Sequence, residues 1–138
     1  MDPIMKGNLS KLQNEKGLAA NMNRNLKIRI INNKDDLVEG TFCYSLFESA
    51  IFDSDLLNEL ISDSECFFNR NGYDEEVADV LSWLVKCVNQ CFLSNGEKND
   101  LYFIKNYSTE MESKWNDYWE PKIKKLLEKN IMSNKSSS

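Results

Sequence analysis

Asp74–Phe92, DEEVADVLSWLVKCVNQCF, is the stretch with the strongest structural signal in the chain. Its apolar residues recur at spacings of three and four, which places their side chains on one face of an α-helix. Three acidic residues open the stretch and Ser94-Asn95-Gly96 follows it, as is typical of a helix start and a helix end. The pattern predicts a central core helix whose buried face comprises Val77, Val80, Leu81, Leu84, Val88, Cys91 and Phe92.

Two further helices are predicted before this one. Apolar positions in Phe42–Phe52 follow helical spacing, and the Thr41 hydroxyl can cap the start of that helix. Asp53 can cap a second helix, which ends at Asn71-Gly72. The buried face predicted for this second helix comprises Leu57, Leu60, Ile61, Ser64, Phe67 and Phe68.

A last long helical pattern begins at Ser108. Pro121 interrupts it, so the pattern fits either one kinked helix or two helices with Pro121 in the first turn of the second. Tyr118 lies beside the apolar stripe, and we expect it at the surface. The stripe itself comprises Met111, Trp115, Trp119, Ile123, Leu126 and Leu127.

Two short segments leave room for β-structure. Leu26–Ile31 alternates apolar and basic residues, which predicts a short half-buried strand. Leu101–Ile104 is too short to separate a buried strand from the start of a helix, and we favour helix. The alternative is an α+β fold in which these two segments pair.

The length of 138 residues fits one domain. We expect a mainly α, single-domain bundle of four to five helices over residues 26–132, with a short N-terminal strand or hairpin as an option. Residues 1–25 are expected to form a flexible arm or a weak helix, and residues 133–138 a loose tail. No stretch looks like a secretory signal or a membrane span, so the expected location is cytoplasmic.

The chain contains no histidine, which is the usual general base and a common metal ligand. This excludes Ser-His and Cys-His nucleophile pairs and every zinc site that uses histidine. Cys87 and Cys91 share a helix face, but Cys43 and Cys66 come from separate helices, which is unlike the close ligand pairs of zinc sites. We therefore expect four reduced thiols, no metal, no cofactor and no catalytic activity, although a two-carboxylate hydrolase is not excluded by residue type.

The acidic residues are concentrated in the middle third of the chain. Residues 1–34 carry seven Lys/Arg and two Asp/Glu, a net +5; residues 35–79 carry one and thirteen, a net −12; residues 80–138 carry nine and seven, a net +2. One cation among fourteen charges is hard to explain as plain solvation, because unpaired like charges repel one another. We interpret the segment as an acidic face that binds a basic protein surface. An acidic face repels the phosphates of nucleic acid, so we expect no nucleic-acid partner. We expect no membrane partner either.

The candidate partner-binding residues are the carboxylates of two helices and one aromatic side chain that can anchor an interface. They are Asp53, Asp55, Glu59, Asp63, Glu65, Asp74, Glu75, Glu76, Asp79 and Tyr118.

Two segments, GTFCYSLFESAIFD at 40–53 and WNDYWEPKI at 115–123, resemble the small immunity proteins of bacterial contact-dependent growth inhibition systems. The resemblance implies tight, non-catalytic neutralisation of one cognate toxin. Many toxins of this class are nucleases, whose basic substrate groove an acidic face could cover. We expect such a protein to be a monomer or a weak dimer.

Two alternatives stay open. The chain could be an acidic chaperone or adaptor for a secreted protein, in which case dimerisation and an apolar groove would matter more than charge. A carboxylate-based hydrolase is the other, and single Asp or Glu replacements would then abolish activity at one position.

Overall fold

The computed structural model describes residues 25–35, 37–97 and 101–136, with side chains as far as residue 130. Within these ranges the chain is mainly helical and has no strand, which confirms the expected helical bundle. The predicted N-terminal arm lies almost wholly outside the described residues.

Six helices follow one another along the described chain. Helix α1 covers residues 25–31 and passes into a 3-10 turn at Asn32–Lys34. Helices α2, α3 and α4 are Phe42–Phe47, Ser54–Asn71 and Glu75–Gly96. Helix α5, Thr109–Lys114, continues through a π turn at Trp115–Trp119 into α6, Glu120–Ser136. Residues 133–136, expected in a loose tail, therefore belong to α6.

Side-chain caps fix where four of these helices begin. Thr41, Asp53, Asp74 and Ser108 each precede a helix, and each side-chain oxygen accepts a hydrogen bond from the backbone N–H three residues later, at 3.1 Å in every case. Such a bond satisfies one of the free N–H groups of the first turn. The caps predicted at Thr41 and Asp53, and the helix start at Asp74, are confirmed.

The strand predicted at Leu26–Ile31 is wrong, because these residues are helical. Leu26 and Ile30, four residues apart, are buried, whereas Ile28, which an alternating strand would bury with them, is 47% exposed. In so short a segment the apolar residues at i and i+4 fit both a strand and a helix. The predicted pairing with Leu101–Ile104 is therefore wrong as well.

The segment Leu101–Ile104 is not helical either, contrary to expectation, but an irregular connection between α4 and α5. Its backbone is held by partners distant in sequence. The Ile104 N–H donates to Asn95 Oδ1 at 2.7 Å, and the Lys105 N–H donates to the Ala50 carbonyl at 2.7 Å. These bonds replace the local ones that a helix would form.

Helix α2 is shorter than predicted and ends at Phe47. Ala50 lies at φ 57°, a left-handed conformation that an α-helix does not contain. The turn allows the chain to double back, so that the ring of Phe52 meets that of Phe42 at 5.1 Å between centroids.

Pro121 lies in the first turn of α6, where the two-helix alternative placed it, and a π turn joins α5 to α6 without a non-helical residue between them. A π turn precedes the proline, and the Glu120 N–H donates to the Trp115 carbonyl five residues back. This wider turn accommodates a ring that would otherwise collide with the preceding turn. Trp115 and Trp119 are both buried, as predicted.

Two tryptophan indoles attach this helix to its neighbours. Trp119 Nε1 donates to Asn58 of α3 at 2.9 Å, and Trp115 Nε1 donates to Asn89 of α4 at 2.8 Å. Each buried polar N–H thus has a partner, as aromatic core residues require. The α5–α6 helix therefore packs against both α3 and α4.

Candidate functional site

The predicted carboxylates do not converge on one site. Asp53 and Asp55 lie at the N-terminal end of α3, whereas Asp74, Glu75 and Glu76 lie beyond its C-terminal end, at the start of α4. An 18-residue helix such as α3 is about 27 Å long, at 1.5 Å per residue. The acidic residues therefore form an extended surface along α3 and the first turns of α4, which we call the acidic side.

Helix α1 neutralises part of the acidic side. Lys27 Nζ lies 3.0 Å from Asp74 and 3.2 Å from Glu76, and the Arg29 guanidinium lies 2.7 Å from Asp63. The count of one cation among fourteen charges missed these pairs, because both cations come from the preceding segment of the chain. Three of the predicted carboxylates are thus engaged within the protein, and Asp53 caps α3.

The two carboxylates paired with α1 differ in their pKa shifts. Burial raises the pKa of Asp63 above its ordinary value, and Arg29 offsets this only in part. Burial also raises the pKa of Asp74, but the hydrogen bonds from the Val77 N–H and from Lys27 outweigh it, so this pKa lies below its ordinary value. Asp74 is therefore held ionised more firmly than Asp63.

Five carboxylates of the acidic side are exposed and form no ion pair within the part of the chain that the structure describes. They are Asp55, Glu59, Glu65, Glu75 and Asp79. Unpaired surface charges of one sign attract a partner of the opposite sign.

A cleft of about 220 Å³ opens on the acidic side between α1, α3 and the loop before α2. Its rim carries Glu39, Glu59 and Asp63, with Arg29 tied to Asp63. Its apolar wall comprises Val38, Phe42, Leu56 and Leu60. Lys and Arg side chains combine an apolar stem with a charged head, and the cleft offers a surface to each part.

Asn33 lines the cleft, and its side chain hydrogen-bonds the backbone of the elements around it. It is buried, and its Nδ2 donates to the carbonyls of Arg29 and Ile30 at 3.1 and 3.2 Å. Its Oδ1 accepts from the Cys43 N–H at 3.2 Å, which joins α1 to α2. Glu39, Arg29 and Asn33 were not among the predicted residues. To place Arg29 beside α3 from the sequence, Leu26–Ile31 would have had to be predicted as a helix.

Tyr118 is exposed, as expected, and two lysines of its own helix contact its side chain. Lys114 Nζ is 5.7 Å and Lys122 Nζ 5.4 Å from its ring centroid, and Lys122 Nζ also donates to the Tyr118 hydroxyl at 3.4 Å. These contacts have cation–π geometry. The ring contacts of Tyr118 are thus with cations and with Trp119, not with the predicted carboxylates.

Three of the four thiols lie near one another, where α2 meets α4. Burial raises the pKa of Cys43, and the nearby Cys87 and Cys91 thiols raise it further. Burial likewise raises the pKa values of Cys87 and Cys91. A raised thiol pKa disfavours the nucleophilic thiolate. Among the described residues, no three His, Cys, Asp or Glu side chains are grouped so that they could hold a metal ion.

Large apolar side chains are exposed near the C-terminal end of α4, in the loop after α2 and in the connection from α4 to α5. Leu101 is 97% exposed, and Leu93 and Phe103 are more than half exposed. Ile51 and Tyr107 lie in the same two loops and are also exposed. We call these five residues the apolar end.

No protein-family model matches the chain, and neither a curated protein nor a solved structure is detectably similar to it. No helix among the described residues is long and apolar enough to cross a membrane.

Proposed function

We propose that this chain is an immunity protein, which neutralises a cognate toxin by binding it, and that the acidic side covers a basic active-site groove. A nuclease is the favoured class of toxin, because its groove must attract phosphate and is therefore basic. The supporting observation is the set of five exposed carboxylates without a cation partner among the described residues, next to a cleft with an acidic rim.

The cleft gives this proposal a specific contact. A lysine or arginine of the toxin places its stem against Val38, Leu56 and Leu60, and its charged head meets Glu39 and Glu59. Inserting one long side chain adds apolar burial to charge attraction, which is how interface anchors acquire most of their effect. Surface charge alone contributes more to the rate of association than to its strength.

Co-expression with the toxin domain encoded by the neighbouring reading frame tests this proposal. The expected result is restored growth of the host and a 1:1 complex in size-exclusion chromatography. Glu59→Lys, at the cleft, is expected to weaken protection, whereas Glu128→Lys, an exposed residue of α6, makes the same charge change elsewhere. Absence of both complex and protection would contradict the proposal.

The apolar end supports a second candidate, a chaperone or adaptor for a secreted protein, since a cluster of exposed large apolar residues marks an interaction surface. This candidate predicts that Leu101→Ser with Phe103→Ser abolishes binding of the client, and that Glu59→Lys does not. The immunity proposal predicts the opposite ranking of the same variants in the growth assay.

A further inference from the structure

The second charged surface of the molecule is a row of lysines on the α5–α6 helix. Lys114, Tyr118 and Lys122 are joined by the ring contacts already described. Lys125 and Lys129 follow Lys122 at i+3 and i+7, so they continue the same helix face. All five side chains are exposed, and we call them the lysine stripe.

The lysines of the stripe form no ion pair within the described residues. Two acidic residues of the same helix, Glu112 and Glu120, are engaged elsewhere, whereas Glu110, Asp117 and Glu128 are exposed. Glu120 accepts from Asn89 at 2.6 Å and pairs with Lys124 at 3.4 Å, and Glu112 accepts from the Tyr107 hydroxyl at 2.5 Å. The stripe therefore presents four lysines without an ion pair among the described residues, although its segment of the chain is nearly neutral.

The shape of the stripe suits a linear polyanion. Fifteen residues separate Lys114 from Lys129, and this length of helix spans about 22 Å. Tyr118 places a ring that is 47% exposed between the first two lysines. Proteins that hold single-stranded nucleic acid combine a line of cations along the phosphates with aromatic rings on which bases stack.

We infer that the lysine stripe binds single-stranded nucleic acid, with the four ammonium groups along the phosphates and Tyr118 stacked on a base. A membrane surface fits less well, because a helix that lies on lipid presents a broad apolar face, and Trp115, Trp119 and Ile123 are buried here. The expectation of no nucleic acid came from the acidic side, whose field is screened over about 10 Å at 0.1 M salt. The inference does not depend on the proposed immunity function.

Fluorescence anisotropy with a labelled 12-mer of deoxythymidine, titrated with the full chain at several salt concentrations, tests the inference. The expected slope of log affinity against log salt is about −0.7 per neutralised phosphate, or roughly −3 for four lysines. Lys122→Gln with Lys125→Gln is expected to reduce that slope by about half. The matched control is Lys124→Gln with Lys86→Gln, which removes two charges outside the stripe and leaves the slope unchanged.

Tyr118→Ala is expected to weaken binding about fivefold or more, the lower limit for loss of a base–aromatic stack, whereas Tyr118→Phe keeps the affinity. If Lys122→Gln with Lys125→Gln reduced the salt slope no more than Lys124→Gln with Lys86→Gln, the inference would be overturned. Binding to phosphatidylserine vesicles without binding to the oligonucleotide would have the same consequence. Salt-sensitive self-association in sedimentation that the stripe variants abolish, without oligonucleotide binding, would assign the stripe to a second copy of the chain and would also overturn it.

Discussion

The acidic side and the lysine stripe differ in how the fold uses their charges. On the acidic side, Asp63, Asp74 and Glu76 are paired with cations of α1, and Asp53 and Asp74 cap helices. On the stripe, Lys114 and Lys122 contact the Tyr118 side chain, and no described carboxylate lies within 4.0 Å of any of the four lysines. One region combines structural and exposed charges, whereas the other consists of exposed charges alone.

In this molecule the net charge of a segment of sequence does not predict the charge of the surface on which its residues lie. Residues 35–79 have a net charge of −12, yet the acidic side is partly neutralised by Lys27 and Arg29 from outside that segment. Residues 80–138 have a net charge of only +2, yet helical spacing collects four of their lysines on one face. Surface charge follows from periodicity and tertiary pairing.

The largest expected effect is on stability and comes from replacing Trp119, the buried side chain that anchors the helix carrying the lysine stripe. Trp119→Ala is expected to lower the free energy of unfolding by about 3–5 kcal/mol, because the buried ring packs against Phe52 and its N–H bonds Asn58. Urea unfolding followed by circular dichroism measures the change. Tyr118→Ala, at the adjacent exposed position, is the control and should change stability by less than about 0.5 kcal/mol. Equal losses would show that the tryptophan face does not anchor the helix.

A smaller effect is expected where a carboxylate of the acidic side has a structural role. Asp74→Ala is expected to cost about 1 kcal/mol, because α4 loses its cap and Lys27 loses a partner. Asp74→Asn should retain most of that stability, since asparagine caps as well as aspartate. Asp79→Ala, further along α4 and exposed, is the control in the same urea experiment. A loss at Asp79 as large as that at Asp74 would contradict the distinction between structural and free carboxylates.

The smallest expected effect is a difference in pH dependence between the two carboxylates paired with α1. The pKa of Asp74 is lowered, so its contribution to stability is present above the unfolded-state pKa and is lost as the pH falls through the folded-state pKa. The pKa of Asp63 is raised, so its ionisation costs stability as the pH rises from the unfolded-state to the folded-state pKa. Stability curves of Asp74→Asn and Asp63→Asn between pH 2 and 7 should therefore deviate from the unmodified protein in opposite directions. Deviations of the same sign would contradict the two assignments.

Helices with long apolar patterns could be predicted from the sequence, and short or tertiary features could not. The buried face predicted for α4 is confirmed, except that Cys91 is only half-buried, and Trp115 and Trp119 are core residues as expected. Helix α1 was missed because alternation over six residues does not separate period two from period 3.6. The connection at Leu101–Ile104 was missed because its conformation depends on Asn95 and Ala50, which no local pattern reveals.

The same distinction between sequence patterns and tertiary features applies to the predicted site residues. The acidic residues of α3 and α4 were found from composition, because excess charge of one sign is visible in the sequence. Their pairing with Lys27 and Arg29 and the cleft beside Glu39 depend on how the helices pack. These features become visible only when the three-dimensional arrangement of the helices is known.

In the proposed complex the acidic side, and not the lysine stripe, contacts the toxin. Stopped-flow association with the toxin domain of the neighbouring reading frame, from 50 to 300 mM salt, tests it most directly. We expect Glu59→Gln, Glu75→Gln and Asp79→Asn together to slow association several-fold at low salt and to flatten its salt dependence, because rim charges act mainly on the association rate. Lys122→Gln with Lys125→Gln should leave that rate unchanged or slightly faster. Slower association in the stripe variant, with no change in the acidic variant, would contradict the account.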